Sequence, residues 1–370
     1  MDQRKIVHII PNLSRGGAER FVVDLCNALS DKSAAEIHLI SMYNNPAGTT
    51  LRKEVHAKVI YHELSKRPGL DMKFLYRLFQ LLRRIKPDVV HTHINTLEYA
   101  LPYTLRYKKA THFHTLHNDA FMECDKPFLR KVRQRCYASK SVVPITISRE
   151  SSRSFHACYK QKGDLIIENG VHPIEKRGSE ELIKKRFGLQ AQEQQYLLVN
   201  VARIAQQKNQ EMLVDAVKKI NAEGTIKCVL AIVGDVQDAA IFQRLQAKQD
   251  EHIHFTGAVN NIGDYLAAAD AFCLSSVYEG MPISLLEAMS IGCIPVCTPV
   301  GGIPEMISHQ HTGFLSKDLS LSGYIEAIKA ALLAPNRDEV KNNCRHEFFS
   351  KYHIHVSMEK HVKAYGSREK

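Results

Sequence analysis

The strongest constraint on the fold of this chain is an alternation of short apolar runs with amphipathic segments, which occurs twice along its length. The apolar runs are rich in Val, Ile and Leu, which is typical of strands buried on both faces of a sheet. The segments between them repeat their apolar residues with the period of a helix. Because alternating strands and helices form parallel sheets with helices on both faces, the sequence predicts an α/β protein with two Rossmann-like βαβ domains.

A break at 168–179 separates two sets of predicted elements, because the apolar pattern lapses there into Asn, Gly, Pro and charged residues. Before the break, strands are predicted at 5–10, 36–42, 88–91, 112–116, 141–147 and 164–167, and helices at 18–29, 74–85 and 97–107. After it, strands are predicted at 196–201, 227–233, 252–256, 271–274 and 294–297, and helices at 210–221, 239–250, 263–268 and 282–291. We therefore predict domains at 1–168 and 169–351, and a C-terminal helix at about 352–370 is a candidate for packing back on the first domain.

Length and composition agree with a two-domain globular protein. The 370 residues exceed the roughly 250–300 at which one core stops growing. No apolar stretch approaches the ~18–20 residues of a membrane span, and the first ten residues are predicted to be a strand and not a signal peptide. The nine cysteines form no CxxC pair, so we expect reduced cysteines and a cytoplasmic protein.

The positive charge is concentrated in the first half. Residues 1–172 hold 28 Lys and Arg against 16 Asp and Glu, a balance of +12, and residues 173–370 have a balance of −1. Such a half could contact nucleic acid, an anionic membrane or a phosphorylated acceptor. The basic run at 126–135 interleaves apolar residues, so it is either a solvated helix face or a membrane contact. The basic residues predicted to make such a contact are Lys126, Arg130, Lys131 and Arg133.

The segment 275–296 predicts an anion site at the start of a helix. Pro282 lies where the first turn should begin, and Pro at that position loses no hydrogen bond. The next amides, on Ile283 and Ser284, would point out of the helix N-terminus, where the helix dipole favours an anion such as a diphosphate. The alternative is an ordinary capped helix.

Two carboxylates flank this helix start, and neither suits direct contact with a phosphate. Glu279 and Glu287 are therefore expected to bind hydroxyl groups, one on a sugar and the other on a ribose, unless Glu287 is only a surface residue. A second tight turn, at Gly301 and Gly302, follows the next predicted strand and favours the binding site.

Two cations follow the strand predicted at 196–201. Arg203 lies at its carboxyl end, and Lys208 precedes the next helix. Ligands of open α/β sheets bind at this end of the strands, so the pair could neutralise a diphosphate without a metal. An exposed loop with solvated charges is the alternative.

Five histidines fall at predicted strand ends within 27 positions: His91, His93, His112, His114 and His117. Imidazoles are common zinc ligands, but no cysteine or close carboxylate pair completes a set of four. We expect structural or acceptor-binding histidines and no metal.

The residues at 279–287 form an E-x7-E motif, and the run EGMPISLLEAM resembles that of the retaining GT-B nucleotide-sugar glycosyltransferases (family 4, group 1). The resemblance implies a GT-B fold, with two Rossmann-like domains that face a central cleft, an N-terminal acceptor-binding domain and a C-terminal donor-binding domain. Further segments match in order along the chain: GGAER at 16–20, VVHTH at 89–93, TLHND at 115–119, ITISRES at 145–151, IENGV at 167–171, VARIAQQKN at 201–209, IVGDV at 232–236 and FTGAVNNI at 255–262.

The resemblance also implies roles for single residues. Glu279 and His117 would be the catalytic residues, both beside the transferred sugar. The donor-binding residues would be Gly16, Gly17, Arg203, Lys208, Gly234, Val259, Gly280, Met281, Ile283, Ser284 and Glu287. Among them, Arg203 and Lys208 would hold the diphosphate, Glu287 the ribose and Val259 the base. The VGDV turn departs from the family pattern, which leaves the role of Gly234 open.

The implied activity is a metal-independent, retaining transfer of a sugar from a nucleotide diphosphate, with UDP favoured, to a glycan or lipid-linked acceptor. The implied setting is cell-surface polysaccharide synthesis at the inner face of an anionic membrane, with no cofactor and no nucleic acid. The alternatives are a GT-B epimerase of UDP-sugars, or a protein that binds sugar nucleotides or nucleic acid without turnover.

Overall fold

The computed structural model describes residues 3–14, 16–44, 50–69, 71–189 and 195–367. The chain forms two compact units. The N-terminal unit comprises residues 1–172 together with 351–370, and the C-terminal unit comprises residues 173–350. The first crossing between units thus lies four residues after the predicted boundary at 168, within the polar break that the sequence shows.

Strands and helices alternate through most of both units. Up to residue 172 the elements are β1 (Lys5–Ile10), α1 (Gly17–Lys32), β2 (Glu36–Ser41), β3 (Ile60–Glu63), α2 (Met72–Ile85), β4 (Val89–His93), α3 (Leu97–Arg106), β5 (Thr111–Leu116), α4 (Ala120–Glu123), α5 (Pro127–Ala138), β6 (Val143–Thr146), α6 (Arg149–Tyr159) and β7 (Leu165–Ile166). The C-terminal unit contains α7 (Glu180–Arg186), β8 (Gln195–Val201), α8 (Gln210–Glu223), β9 (Lys227–Val233), α9 (Ala239–Ala247), β10 (Ile253–Gly257), α10 (Ile262–Ala268), β11 (Ala271–Leu274), α11 (Ile283–Ile291), β12 (Pro295–Cys297), α12 (Ile303–Met306), β13 (Phe314–Leu315), α13 (Leu321–Leu333) and α14 (Arg337–Glu347). The last helix is α15 (Ile354–Gly366).

Both sheets are parallel and doubly wound. The order in the N-terminal unit is β3-β2-β1-β4-β5-β6-β7, and in the C-terminal unit it is β10-β9-β8-β11-β12-β13. The order reverses between β1 and β4 in one sheet and between β8 and β11 in the other. Such a reversal opens a crevice at the carboxyl ends of the strands, where open α/β sheets bind their ligands. The predicted fold class of two Rossmann-like α/β domains is confirmed.

The C-terminal helix α15 belongs to the N-terminal unit and packs against α1. It is attached through the segment before it, where Val171 and His353 form a parallel β-bridge. Gly170 is required at this contact, because a Cβ there would lie 2.9 Å from the Cα of Ile354. Tyr365 of α15 is buried and donates or accepts a hydrogen bond at His91 in the sheet.

Within the described part of the chain, none of the helices combines the length and apolar character needed to cross a bilayer.

Candidate functional site

The loops that follow β8 and β11 meet at the reversal point of the C-terminal sheet, and they carry a partly buried ion pair. Lys208 Nζ lies 2.6 Å from Glu279 Oε1, and the two side chains are 16% and 6% exposed. Ser276 donates a second hydrogen bond of 2.6 Å to the same carboxylate oxygen. The other oxygen, Oε2, has a long 3.5 Å contact with the Gln207 amide. The sequence analysis expects Lys208 to bind the diphosphate and Glu279 to bind the sugar. In this structure the two side chains contact each other directly.

The backbone around Glu279 is held by the double-glycine turn after β12. Gly301 has φ +55°, in the left-handed region, and a Cβ there would lie 1.7 Å from the carbonyl oxygen of Glu279. The amide of Gly302 donates to the carbonyl of Gly280 at 3.0 Å. Glycine is therefore needed at 301 both for conformation and for space.

Helix α11 begins one residue later than the sequence predicted. Pro282 is the N-cap, with extended backbone, and Ile283 is the first helical residue. This later start does not affect the predicted anion site. Ile283 and Ser284 are the first two residues of the helix, and their amides have no intrahelical acceptor. Leu285 donates back to the carbonyl of Pro282 at 3.1 Å. Met281 and Ile283 are buried, whereas Ser284 and Glu287 are half-buried.

The other predicted donor-binding residues of this unit follow β8, β9 and β10 at the same edge of the sheet. Arg203 is exposed, and its guanidinium has no hydrogen bond or ion pair among the described residues. Gly234 approaches the β8 loop closely, since a Cβ there would lie 2.1 Å from the carbonyl oxygen of Ala202. Val259 is half-buried in the loop after β10. Within the described part of the chain, a direct contact joins Lys208 to Glu279, whereas the Arg203 guanidinium is not hydrogen-bonded to either of them.

Gly16 and Gly17 lie at the reversal point of the N-terminal sheet and start α1. Gly16 is the N-cap, with φ −125°, and its carbonyl accepts from the Arg20 amide at 3.0 Å. The predicted glycine loop is therefore the N-terminus of a sixteen-residue helix, where backbone amides and the dipole suit an anion. Its backbone is in an ordinary extended conformation, so the glycines are not explained by a positive φ.

The predicted histidine cluster is buried and larger than the sequence suggested. Seven histidines of the N-terminal unit are buried and have lowered pKa values: His8, His91, His93, His112, His114, His117 and His361. Burial is the main cause, because the charged imidazolium is disfavoured away from water. His8 and His361 were missed by the sequence analysis, although a histidine inside a predicted buried strand was a signal for His8.

Three of these histidines are spaced as metal ligands could be, since ring nitrogens of His8, His91 and His93 lie within 4.8 Å of one another. Hydrogen bonds account for this spacing. His91 is held at 2.7 Å by Tyr365 and at 2.7 Å by Thr115, so both its nitrogens are engaged. The absence of a metal stays a prediction.

His117 is buried at the carboxyl end of β5 and is held at two points. Its ring Nε2 lies 3.1 Å from His93 Nδ1, and its backbone amide donates to Glu123 Oε2 at 2.8 Å. The ring Nδ1 is buried and has no partner among the described residues. Burial lowers the pKa of His117 to about 4, so the ring is neutral near pH 7. Glu123 was missed by sequence analysis, since its role depends on tertiary contact.

The prediction that Arg133 contacts a membrane is wrong. Its side chain is 1% exposed, and its Nε lies 2.6 Å from Glu98 Oε1. The α5 residue therefore points into the unit and joins α5 to α3. Among the other predicted contacts, Lys126 and Lys131 are exposed, and Arg130 is half-buried with its guanidinium on the carbonyl of Cys124.

Two family models match, one for each half of the chain. The model described as Glycosyltransferase Family 4 matches residues 15–173, and the model described as Glycosyl transferases group 1 matches residues 183–347. The chain belongs to these GT-B glycosyltransferases. The resemblance predicted from the sequence is thus confirmed, and so is the general activity of a glycosyltransferase.

Relatives of this glycosyltransferase are enzymes of bacterial glycan synthesis and related transfers. It is 26% identical to a UDP-Gal:alpha-D-GlcNAc-diphosphoundecaprenol alpha-1,3-galactosyltransferase of Escherichia coli, over 96% of this chain and 95% of the relative. It is 28% identical to an N-acetyl-alpha-D-glucosaminyl L-malate synthase of Bacillus anthracis, over 82% and 81%. Its fold is similar to that of Anabaena HepE in complex with UDP and glucose, with TM-score 0.81, 17% identity and coverage of 99% and 100%.

Proposed function

We propose that this glycosyltransferase moves a sugar from a UDP-sugar to a lipid-linked saccharide, with retention of configuration and without a metal ion. The observation that carries the proposal is the Lys208–Glu279 pair at the reversal point of the C-terminal sheet, beside the amides that begin α11. A cation, a carboxylate and free amides at one strand edge are the groups that a sugar diphosphate needs. The UDP-galactose donor of the Escherichia coli relative and the UDP bound to HepE support UDP as the nucleotide.

Lys208 and Arg203 are proposed to neutralise the diphosphate. Charge-assisted hydrogen bonds from these groups to the leaving phosphates would stabilise the charge that develops as the sugar departs, the task that Mg²⁺ performs in other transferases. Without ligand, Glu279 satisfies the Lys208 ammonium and prevents an unpaired buried charge. When the donor binds, the phosphate becomes a second acceptor for Lys208, and Glu279 Oε2, which has only the long contact with Gln207, accepts from a sugar hydroxyl.

Retention follows in this proposal from attack on the face that the leaving group vacates. The acceptor oxygen forms its bond to the anomeric carbon as the carbon–phosphate oxygen bond breaks, and the acceptor proton passes to that phosphate oxygen. His117 and Glu279 are proposed to hold the sugar during this step. Glu287 would bind the ribose, Val259 the base, and the Gly16–Gly17 loop the phosphates, through the Gly17 amide because the Gly16 amide donates to the Ser14 carbonyl at 2.8 Å.

The test is a screen of nucleotide sugars for thermal stabilisation of the full chain, followed by mass and NMR analysis of products formed with lipid-linked acceptors. The proposal expects stabilisation by a UDP-sugar, release of UDP, and an anomeric configuration in the product equal to that of the donor. An inverted product would contradict retention. A changed sugar that stays attached to UDP would indicate the epimerase, and binding without turnover would indicate a non-catalytic protein.

Membrane contact is proposed for the surface formed by α4 and the start of α5. Phe128 is 74% exposed, and Phe121 and Met122 of α4 are also exposed. The exposed Lys126 and Lys131 flank these apolar side chains. Exposed aromatic residues with neighbouring lysines suit the interface of an anionic bilayer, which would bring the enzyme to a lipid-linked acceptor.

Liposome sedimentation tests this surface. We expect binding to anionic vesicles at low salt and release at high salt, because the Debye length falls from ~10 Å at 0.1 M to ~3 Å at 1 M. The double variant Lys126→Glu, Lys131→Glu should stay in the supernatant, whereas Lys184→Glu, Lys185→Glu in the C-terminal unit serves as a matched charge control. Equal recovery of wild type with neutral and anionic vesicles would point instead to a soluble acceptor.

A further inference from the structure

Three buried imidazoles of the N-terminal unit form a continuous hydrogen-bonded row, which we call the imidazole chain: His8, His93 and His117. His8 and His93 lie in the adjacent strands β1 and β4, and His117 directly follows the next strand, β5. His8 Nδ1 lies 3.0 Å from His93 Nε2, and His93 Nδ1 lies 3.1 Å from His117 Nε2. The two end atoms, His8 Nε2 and His117 Nδ1, are buried and have no partner among the described residues.

The hydrogen bonds in this row cannot be arranged independently. Burial lowers the pKa of His8 to about 3 and that of His117 to about 4, and it also lowers the pKa of His93, so all three rings are neutral near pH 7. A neutral imidazole has one N–H and one lone pair. Each ring that donates at one nitrogen must therefore accept at the other.

Only two arrangements satisfy both hydrogen bonds. In the first, every ring carries its proton on Nδ1, so that His8 donates to His93, His93 donates to His117, and His117 Nδ1 is a donor. In the second, every ring carries its proton on Nε2, the direction reverses, and His117 Nδ1 is an acceptor. A ring with the other tautomer would leave two lone pairs or two N–H groups facing each other at about 3 Å, which costs the hydrogen bond and adds repulsion.

We propose that His8 and His93 are positioning residues that fix the tautomer of His117 and thereby determine whether its Nδ1 donates or accepts a hydrogen bond at the substrate. The inference rests on the proposed function, in which His117 contacts the transferred sugar. A sugar hydroxyl can meet either form of the ring, but the geometry of the bound sugar differs between them. Because the three rings satisfy both hydrogen bonds only when they share one tautomer, His117 cannot change its form unless His93 and His8 change with it, and the sugar meets a partner that does not switch independently.

The position of these histidines in the core supports this role. Position 8 lies in the middle of a buried strand, where an apolar side chain would need no hydrogen bond. A histidine there costs more, because Nδ1 must find a partner and Nε2 has none among the described residues. His112 in β5 offers a contrast, since both its nitrogens are held by threonine hydroxyls, Thr92 at 3.0 Å and Thr104 at 3.1 Å. His112 is therefore a structural histidine outside the imidazole chain.

The first test reads the tautomers directly. In the full chain labelled with ¹⁵N-histidine, the ring nitrogens distinguish the Nδ1–H form from the Nε2–H form, and single substitutions assign the signals. We expect His8, His93 and His117 to share one tautomer, and we expect His112→Leu to leave that tautomer unchanged. Different tautomers within the three would overturn the proposal, and so would a tightly bound transition metal on these rings in the purified protein.

The second test uses kinetics of sugar transfer and a residue two rings away from His117. His8→Leu should lower kcat about tenfold, the effect of one lost neutral hydrogen bond, with the donor KM changed less than about twofold. His8→Asn should restore most of kcat, because its amide can replace Nδ1 as donor or acceptor. His112→Leu is the matched core control, and it should lower thermal stability but leave kcat unchanged.

The outcomes separate this inference from the proposed function. A wild-type kcat in His8→Leu, or an equal loss of kcat in His112→Leu, would overturn the positioning role even if sugar transfer is confirmed. If the wild type transfers no sugar from any nucleotide donor, the proposed function fails. The shared tautomer in the NMR spectra would still support the coupling of the three rings.

Discussion

At the scale of single residues, the informative feature is that Lys208 and Glu279 satisfy each other. Their residue types and their places at strand ends could be predicted from the sequence, because both follow buried strands. Their contact could not, since it depends on β8 and β11 being neighbours in the sheet. The same limit explains Arg133, whose burial depends on the distant Glu98 and not on the basic run that contains it.

Lys208→Ala is expected to lower kcat/KM for the donor about 10–100-fold, because it would remove the proposed charge-assisted contact to phosphate, worth roughly 1.5–3 kcal/mol. It also leaves the Glu279 carboxylate with only its hydroxyl and amide neighbours, so a modest loss of thermal stability should accompany the kinetic effect. Lys218→Ala is the control, because Lys218 pairs with Asp250 at 3.1 Å on the surface of the same unit. Steady-state kinetics would contradict the assignment if the two variants behaved alike.

Glu287→Ala and Glu279→Ala should change different kinetic constants of sugar transfer. A ribose anchor acts equally in the ground state and the transition state, so loss of Glu287 should mainly raise the donor KM. In the proposed function Glu279 contacts the transferred sugar, so its loss should lower kcat as well. Full kinetic curves with both variants decide this, and identical profiles would refute separate roles.

Gly301→Ala is expected to inactivate the enzyme and destabilise it by more than the roughly 1 kcal/mol that a left-handed conformation costs an alanine. The added Cβ would overlap the Glu279 carbonyl and displace the carboxylate loop. Gly224→Ala is a matched control, since Gly224 has φ +75° but open space around its Cβ position. Thermal melts and activity assays of the two variants separate the cost of the left-handed backbone, which both variants share, from the overlap with the Glu279 carbonyl, which only Gly301→Ala has. Equal effects in the two variants would mean that the turn does not position Glu279.

At the scale of elements, the apolar period predicted most strands but only about half of the helices. The elements without a prediction are β3, β13, α4, α6, α7, α12, α13 and α14, and α13 is missing from the prediction although one of its faces is buried and apolar. Strand β3 is an edge strand with an exposed Ile60, and α4 has only four residues. The sequence shows helix α5 only as a basic run, because its three arginines have different surroundings. Arg133 is buried in an ion pair, Arg130 is half-buried against the Cys124 carbonyl, and Arg135 is exposed.

The Arg133 contact should stabilise the packing of α5 on α3. Burial opposes ionisation of Glu98, but the hydrogen bond and charge of Arg133 outweigh it and lower the pKa of that carboxyl. Arg133→Ala leaves Glu98 unpaired in a mostly buried site and should cost about 3–5 kcal/mol. Lys131→Ala, on the exposed face of the same helix, should change the unfolding free energy by less than about 0.5 kcal/mol. Urea unfolding measures both, and a tolerated Arg133→Ala would contradict the buried pair.

At the scale of the whole molecule, the two units differ in charge and in histidine burial. The N-terminal unit holds 33 Lys and Arg against 18 Asp and Glu, whereas the C-terminal unit holds 17 against 21. The return of residues 351–370 to the N-terminal unit therefore increases the asymmetry that the sequence halves already showed. All seven buried histidines with lowered pKa lie in the N-terminal unit, and the five histidines of the C-terminal unit are exposed or half-buried.

This asymmetry predicts that acid unfolds the N-terminal unit first. The folded pKa values of its buried histidines lie below the ordinary 6.5, so the unfolded chain binds more protons as the pH falls through that value. Each such histidine therefore removes roughly 1.4 kcal/mol of stability per pH unit between 6.5 and its folded pKa. Urea titrations at pH 7.5 and about pH 5.5, read by hydrogen exchange of peptides from each unit, should show loss in the N-terminal unit alone. Equal loss in both units would contradict this origin.

The most direct test of the central claim, that protein groups alone neutralise the leaving diphosphate, is UDP release from the donor in the presence of acceptor and excess EDTA. Once the screen has identified the donor, the wild-type rate with EDTA should equal the rate with added Mg²⁺ or Mn²⁺. Lys208→Ala should be slow in both conditions, since a metal cannot replace an ammonium held in the loop. A wild-type enzyme that is inactive with EDTA and restored by Mg²⁺ or Mn²⁺ would contradict the claim.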